Sequence, residues 1–284
     1  MNSQQMTIRG VLVFFLSLMA AFVWIVPTVQ SSNYLEVSFL DVGQGDAIYI
    51  VTPDGYELLI DGGPDVSVLS ELAKRRSFFD RRIDMVVATH PDSDHISGLV
   101  DILKRFEVDY IVESDVEHDT PVAVAFNKAA GAEGARLITA QAGQVIKLGA
   151  STTVRILSPQ GDTSNWRSNT ASIILQIEYG GVKLMLTGDA PKSIEDWLVT
   201  EHGETLESEV LKLGHHGSDT STSDSFLEMV DPEYTIVSAS ADNRYGHPHR
   251  EVVARVNERG ISMLETSEMG SITFVSDGVS VWQE

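Results

Sequence analysis

Four side chains able to ligate a divalent cation fall within the six residues His90-Pro91-Asp92-Ser93-Asp94-His95. A solvated polar loop does not call for that density, although Asp92 or Asp94 also suits the N-cap of a following helix. A loop can aim alternate side chains to one side while His95 enters from the first helical turn, so two neighbouring cations can share the segment. Other candidates stand at Leu59-Ile60-Asp61-Gly62-Gly63, Leu186-Thr187-Gly188-Asp189, Leu213-Gly214-His215-His216-Gly217-Ser218 and Tyr245-Gly246-His247-Pro248-His249. Asp189 comes directly after the apolar run VKLML. An unpaired carboxylate there is costly, and bridging two cations removes the cost. His215 and His216 lie on opposite sides if extended geometry persists, so one of them ligates and the other reaches a substrate oxygen. The chain has no cysteine, which excludes disulfides, thiolate nucleophiles and cysteine zinc sites. Any metal must sit on imidazole and carboxylate.

These clusters need strands and helices to place them. Tyr34 to Leu40 alternates with period two, and Ala47 to Thr52 and Tyr56 to Ile60 continue it as a meander of short strands. Met85 to Ala88 is a short apolar run ending at Thr89-His90, and Ile96, Leu99, Val100, Leu103 and Phe106 show helical spacing. The second half repeats the rhythm. Strands are expected at Ser172 to Glu178, Val182 to Leu186, Val210 to Leu213 and Tyr234 to Ser238, with helices from about Pro191 to Glu201 and Pro248 to Arg259 and strands at the end. Strand-rich halves interrupted by helices imply two packed sheets with helices outside, an α/β fold of the four-layer αββα kind. With no linker rich in Pro, Gly or Ser inside it, the stretch 33–284 reads as one domain.

Residues 1–32 read differently. No charged residue occurs between Arg9 and Glu36, and Val11 to Val26 is almost continuously apolar before Pro27. The expectation is a signal peptide or a membrane anchor through residues 10–29, with the active domain exported, since Arg9 is the nearest positive charge. The chain carries 41 acidic against 20 basic residues, a formal charge of −21. That balance opposes sequence-blind attraction to nucleic acid or anionic lipid, so an anionic substrate needs a local cationic site. The densest basic stretch, Lys74-Arg75-Arg76 with Arg81-Arg82, reads as a solvated helix end in preference to a phosphate-chain site. Asp46, in Gly43-Gln44-Gly45-Asp46, either closes a tight hairpin turn or supports a metal-ligating histidine from behind. His118 and His202 read as surface residues.

Taken in order, IDGG, THPDSDH, LTGD and GHHGS resemble the metallo-β-lactamase superfamily of metallohydrolases over most of residues 35–284. FLDVGQGDA, LKLGHHGS and YGHPH are similar to the hydrolase domain of the ComEC family of DNA-uptake channel proteins and its stand-alone relatives. The resemblance implies an αββα sandwich, a metal site at one edge, two divalent metal ions (zinc or manganese) and hydrolysis by metal-activated water. By position it implies His90 and Asp92 on the first ion, Asp94 and His95 on the second, Asp189 bridging and Asp61 supporting from behind. It also favours His215 as a ligand over His216. Asp94 would orient the attacking water or accept its proton, and His247 or His216 would supply a proton to the leaving group.

Two departures stand out. Asp92 occupies a position where many members carry His, and no His occurs between His118 and His202, where a third nitrogen for the first ion is expected. Carboxylate and water in place of imidazole shift preference from zinc toward manganese or magnesium. The expected function is an exported hydrolase of a phosphodiester, with DNA or another phosphorylated polymer as partner. The alternatives are hydrolysis of another ester or lactone, and a non-catalytic binding module that keeps the fold.

Overall fold

The computed structural model of the protein describes residues 33–77 and 79–284. The apolar segment 11–26 lies outside the described residues, and among those described no helix is long and apolar enough to cross a membrane.

Two mixed sheets face each other. The first runs in the order β15 (Val281–Gln283), β14 (Ile272–Ser276), β1 (Leu35–Phe39), β2 (Ile48–Val51), β3 (Glu57–Ile60), β4 (Arg82–Ala88), β5 (Glu107–Glu113) and β6 (Arg136–Thr139). The second runs β13 (Ser262–Glu265), β12 (Tyr234–Val237), β11 (Val210–Lys212), β10 (Val182–Leu186), β9 (Ile174–Tyr179), β8 (Thr152–Ser158) and β7 (Val145–Leu148). Each sheet is part antiparallel and part parallel. Pairing is parallel from β3 through β6 and from β10 through β13. Parallel neighbours need helical crossovers, and these are supplied by α1 (Ser67–Ala73), α2 (Ser93–Ile102), α3 (Pro121–Glu133), α4 (Lys192–His202), α5 (Asp224–Val230) and α6 (Arg250–Glu258).

Three apolar layers hold these elements. Phe39, Ile50, Leu58, Ile60, Leu175, Ile177, Leu184 and Phe274 meet between the sheets. Leu59, Val86, Ile96, Leu99 and Phe126 bury the outer face of the first sheet under α1 to α3. Met185, Leu198, Leu211, Phe226 and Val252 do the same for the second under α4 to α6. The central strands therefore bury both faces, which is why VKLML and MVVA read as unbroken apolar runs instead of alternating ones. At roughly 1.5–3 kcal/mol for each fully buried large side chain, this burial is the main force that positions the loops above. The stretch 107–158, for which the sequence reading proposed no elements, holds β5, α3 and β6 to β8.

The basic stretch is neutralised locally. Lys74 and Arg75 pair with Glu71, Arg76 with Glu57 and Asp80, and Arg82 with Asp84 and Asp109.

Candidate metal centre

The chemistry-bearing loops all leave the carboxyl ends of parallel strands. Asp61 follows β3, His90 follows β4, Asp189 follows β10, and His215 and His216 follow β11. Open parallel sheets bind their ligands at that end, and here the ends of two sheets meet at one edge.

The imidazoles are aimed by what lies behind them. His95 Nδ1 lies 2.7 Å from Asp61 Oδ2. Thr89 Oγ1 donates to that same carboxylate at 2.6 Å and, so committed, meets His90 Nδ1 at 3.1 Å as an acceptor. His216 Nδ1 faces Asp46 Oδ1 at 3.3 Å. All three rings are buried, so their Nε2 atoms turn toward one place. From there His90 Nε2 is 3.8 Å, His95 Nε2 3.4 Å and His216 Nε2 3.8 Å from the Asp189 carboxylate. Asp94 Oδ2 stands 3.4 Å from His216 Nε2. Among the described residues, His90 Nε2, His95 Nε2, His216 Nε2 and Asp189 Oδ1 are buried without a well-formed hydrogen bond. Buried polar atoms left unpaired are costly. A divalent cation accepting nitrogen and carboxylate together fits this donor set, and His90, His95 and Asp189 lie close enough to share one, as do Asp94, His95 and His216.

Electrostatics agree with the geometry. Burial alone raises a carboxylate, but His216 and His95 outweigh it and hold Asp189 well below its ordinary value. Burial likewise opposes charge on His95 and His216, yet Asp189 with Asp61, and Asp189 with Asp46, lift both, His216 to about 9.

The two adjacent histidines are placed differently. Strand geometry ends at Lys212, and both His215 and His216 take left-handed backbone angles (φ 50° and 56°). That turn drives His216 inward. His215 stays part exposed at the rim, its Nδ1 3.0 Å from Thr220 Oγ1 and its Nε2 3.6 Å from Asp189 Oδ2.

Asp92 is the N-cap residue of α2 but makes no capping hydrogen bond. Its Oδ1 accepts from Ser168 Oγ at 2.6 Å, and its Oδ2 lies 3.8 Å from His90 Nε2. Ser168 belongs to the interval where a nitrogen ligand was expected, so a hydroxyl stands near the first ion's place. His118, read as a surface residue, is part buried with Nε2 3.8 Å from Asp92 Oδ1. Its loop follows β5, the next parallel strand, and only that topology could have pointed to it. His247 sits over the site with its ring 5.5 Å from His215 and 6.3 Å from His216. Burial and the neighbouring His215, His216 and His249 push it down to about 4. That shift favours its neutral form.

Asp46, weighed equally between turn and support, proves to lie under the site. Gly45 before it packs so closely that an added Cβ would stand 2.1 Å from the Asp94 carbonyl oxygen, at φ 145°. On the other flank, a Cβ at Gly98 would stand 1.9 Å from Gly62 O. Both glycines let the supporting loops press against α2 and its ligand loop.

Comparison with known proteins follows this geometry. Residues 40–241 match the Metallo-beta-lactamase superfamily. ComE operon protein 3 of Bacillus subtilis is 30% identical over 268 residues, 88% of this chain and 34% of that protein. Competence protein ComA of Neisseria gonorrhoeae is 32% identical over 257 residues, 90% of this chain and 34% of that protein. The chain thus spans about a third of the length of these relatives. In structure it is similar to Igni18, a metallo hydrolase of Ignicoccus hospitalis (TM-score 0.56, 16% identity, 84% of this chain and 98% of that one). It is also similar to Zn(2+)-bound PqqB of Methylobacterium extorquens (TM-score 0.53, 14% identity, 84% and 99%). The matched region, the paired sheets and the cluster at their shared edge together place this chain in the metallo-β-lactamase superfamily.

Proposed function

We propose that the protein is an exported, metal-dependent hydrolase of phosphodiester bonds, with DNA or another phosphorylated polymer as substrate. The observation that carries this reading is the convergence of unpaired, buried Nε2 atoms of His90, His95 and His216 on Asp189. Asp94, His95 and His216 would hold one divalent ion, zinc or manganese, His90 and Asp92 the other, with Asp189 between them. Bound there, such ions lower the pKa of water and neutralise charge that grows on substrate oxygens. Asp94, part exposed at the mouth and held below the ordinary carboxylate value by His216 and His95 against burial, is placed to orient the attacking water. His215 and neutral His247 line the approach and can hydrogen-bond a substrate oxygen or an entering water. Ser168 steadies Asp92.

The relative named Competence protein ComA supports a substrate of nucleic-acid type. The charge of −21 favours a second reading, an uncharged ester or lactone. One screen separates them: metal-reconstituted protein is offered single-stranded and duplex DNA, bis(p-nitrophenyl) phosphate, p-nitrophenyl acetate and a simple lactone. Cleavage of the phosphodiesters supports the first reading, and turnover of the carboxylic substrates alone supports the second. Turnover of none, with metal bound, leaves the binding module. Export is tested by a carboxyl-terminal tag and protease treatment of intact cells, where full protection within the cytoplasm contradicts it.

A further inference from the structure

Lys212 is fully buried at the end of β11, and its ammonium lies 2.7 Å from Asp46 Oδ2. The other oxygen, Oδ1, faces His216 Nδ1 at 3.3 Å, and neither Oδ1 nor Nδ1 makes a well-formed hydrogen bond among the described residues. A buried ion pair is a poor investment in stability, because well-packed apolar residues of the same volume often do as well or better. This pair instead joins the two halves of the site. Asp46 belongs to the β1–β2 loop of the first sheet, where Asp46 N donates to Asp94 O at 3.3 Å and Gly63 N donates to Asp46 O at 2.8 Å. Lys212 belongs to the second sheet, where Thr187 Oγ1, two residues before Asp189, donates to its carbonyl at 2.9 Å. Main-chain bonds thus tie the loops that carry Asp94, Asp61 and Asp189 to the backbones of Asp46 and Lys212, and the carboxylate–ammonium contact joins these two anchor points beneath His216.

We infer that Asp46 and Lys212 are positioning residues for His216. Asp46 Oδ1 accepts the Nδ1 proton and so presents Nε2 to the metal position, while Lys212 holds Oδ2 and keeps Asp46 from turning in as a ligand. The spacing of Asp46 to Asp61, Asp189, His95 and His216 would otherwise allow that ligand role. A partner behind a ligating imidazole fixes its tautomer and orientation, and its loss costs roughly 10–100-fold in metal affinity. The inference rests on the metal-centre reading.

The test is a cycle of metal affinities on the full chain, read by competition with a chelating dye for Zn²⁺ and Mn²⁺, with circular dichroism of the apo proteins beside it. Asp46→Asn together with Lys212→Met removes both charges and avoids leaving one buried alone. This double variant should fold and bind one of the two ions on the order of 10–100-fold more weakly. In a His216→Ala background the same double change should alter affinity no further. An unchanged affinity overturns the inference. So does a loss of equal size in the His216→Ala background, which would make Asp46 a ligand in its own right, and so does an apo double variant that does not fold, which would make the pair scaffold. Failure of the wild-type chain to bind metal at all would instead strike the metal-centre reading.

Discussion

The two ion positions proposed at the shared sheet edge are furnished unequally. On one side Asp94, His95 and His216 converge, with Asp61 behind one imidazole and Asp46 behind the other. On the other, His90 is backed through Thr89, but its companion Asp92 is part exposed and already bonded to Ser168. Preorganised ligands bind tightly and underprovided ones loosely. The difference teaches that the two ions should differ in affinity and in kind, and that the loosely held one sits where solvent, Ser168 and His118 gather.

On the proposed reading Asp189 serves both positions, so its loss should erase the contrast altogether. Asp189→Ala should empty both positions in elemental analysis and lower turnover on the order of 10²–10³-fold. Asp189→Asn should cost more activity than His118→Ala, and equal losses would show that the site is wrongly drawn.

The next largest effect separates the adjacent histidines. His216→Ala should remove the tightly held ion, whereas His215→Ala should keep both ions and lose activity only about tenfold, the size of one missing substrate hydrogen bond. Retention of two ions by His216→Ala, with loss in His215→Ala, would restore the order that the bare motif suggests.

The acids around His216 hold it up to about 9, so at pH 7 the apo ring carries a proton that metal must displace. Affinity should therefore rise with pH through neutrality until about 9, and binding at pH 7 should release protons into weakly buffered solution. A flat profile from pH 6 to 9 would mean that the ring is already neutral.

A subtler change addresses the open side. Asp92→His supplies the missing imidazole and should move preference from manganese toward zinc, because imidazole is the softer donor. If the wild-type chain holds two zinc ions tightly and manganese gives no activity, an unrecognised ligand completes that side. His118→Ala should be the mildest of the set, within a few-fold of wild type.

Much of this was legible without coordinates, for reasons that differ from residue to residue. Asp61, His90, Asp94, His95 and Asp189 stand at strand ends or a first helical turn, and such junctions are visible as an apolar run giving way to polar residues. The paired sheets were legible because central strands such as Val182–Leu186 are buried on both faces. The different placement of His215 and His216 was not legible, since it turns on two left-handed residues that break the strand alternation. Asp46 was ambiguous because a turn and a ligand support use the same Gly-Gln-Gly-Asp letters. Its partner Lys212 lies 166 positions away, with a charge that composition places on the surface. Ser168 and His118 were missed because their sole distinction is which strand their loop follows. The stretch 107–158 gave no reading because its β6 and β7 are largely exposed and lack a clean apolar period.

The most direct test of the central claim is a metal titration of the wild-type protein, with stoichiometry from elemental analysis and stepwise affinity from chelator competition. The unequal furnishing predicts two ions per chain, one bound at least tenfold more tightly than the other, and His216→Ala abolishing the tighter step. A chain that binds no metal after reconstitution, or two ions of equal affinity that both survive His216→Ala, would contradict it.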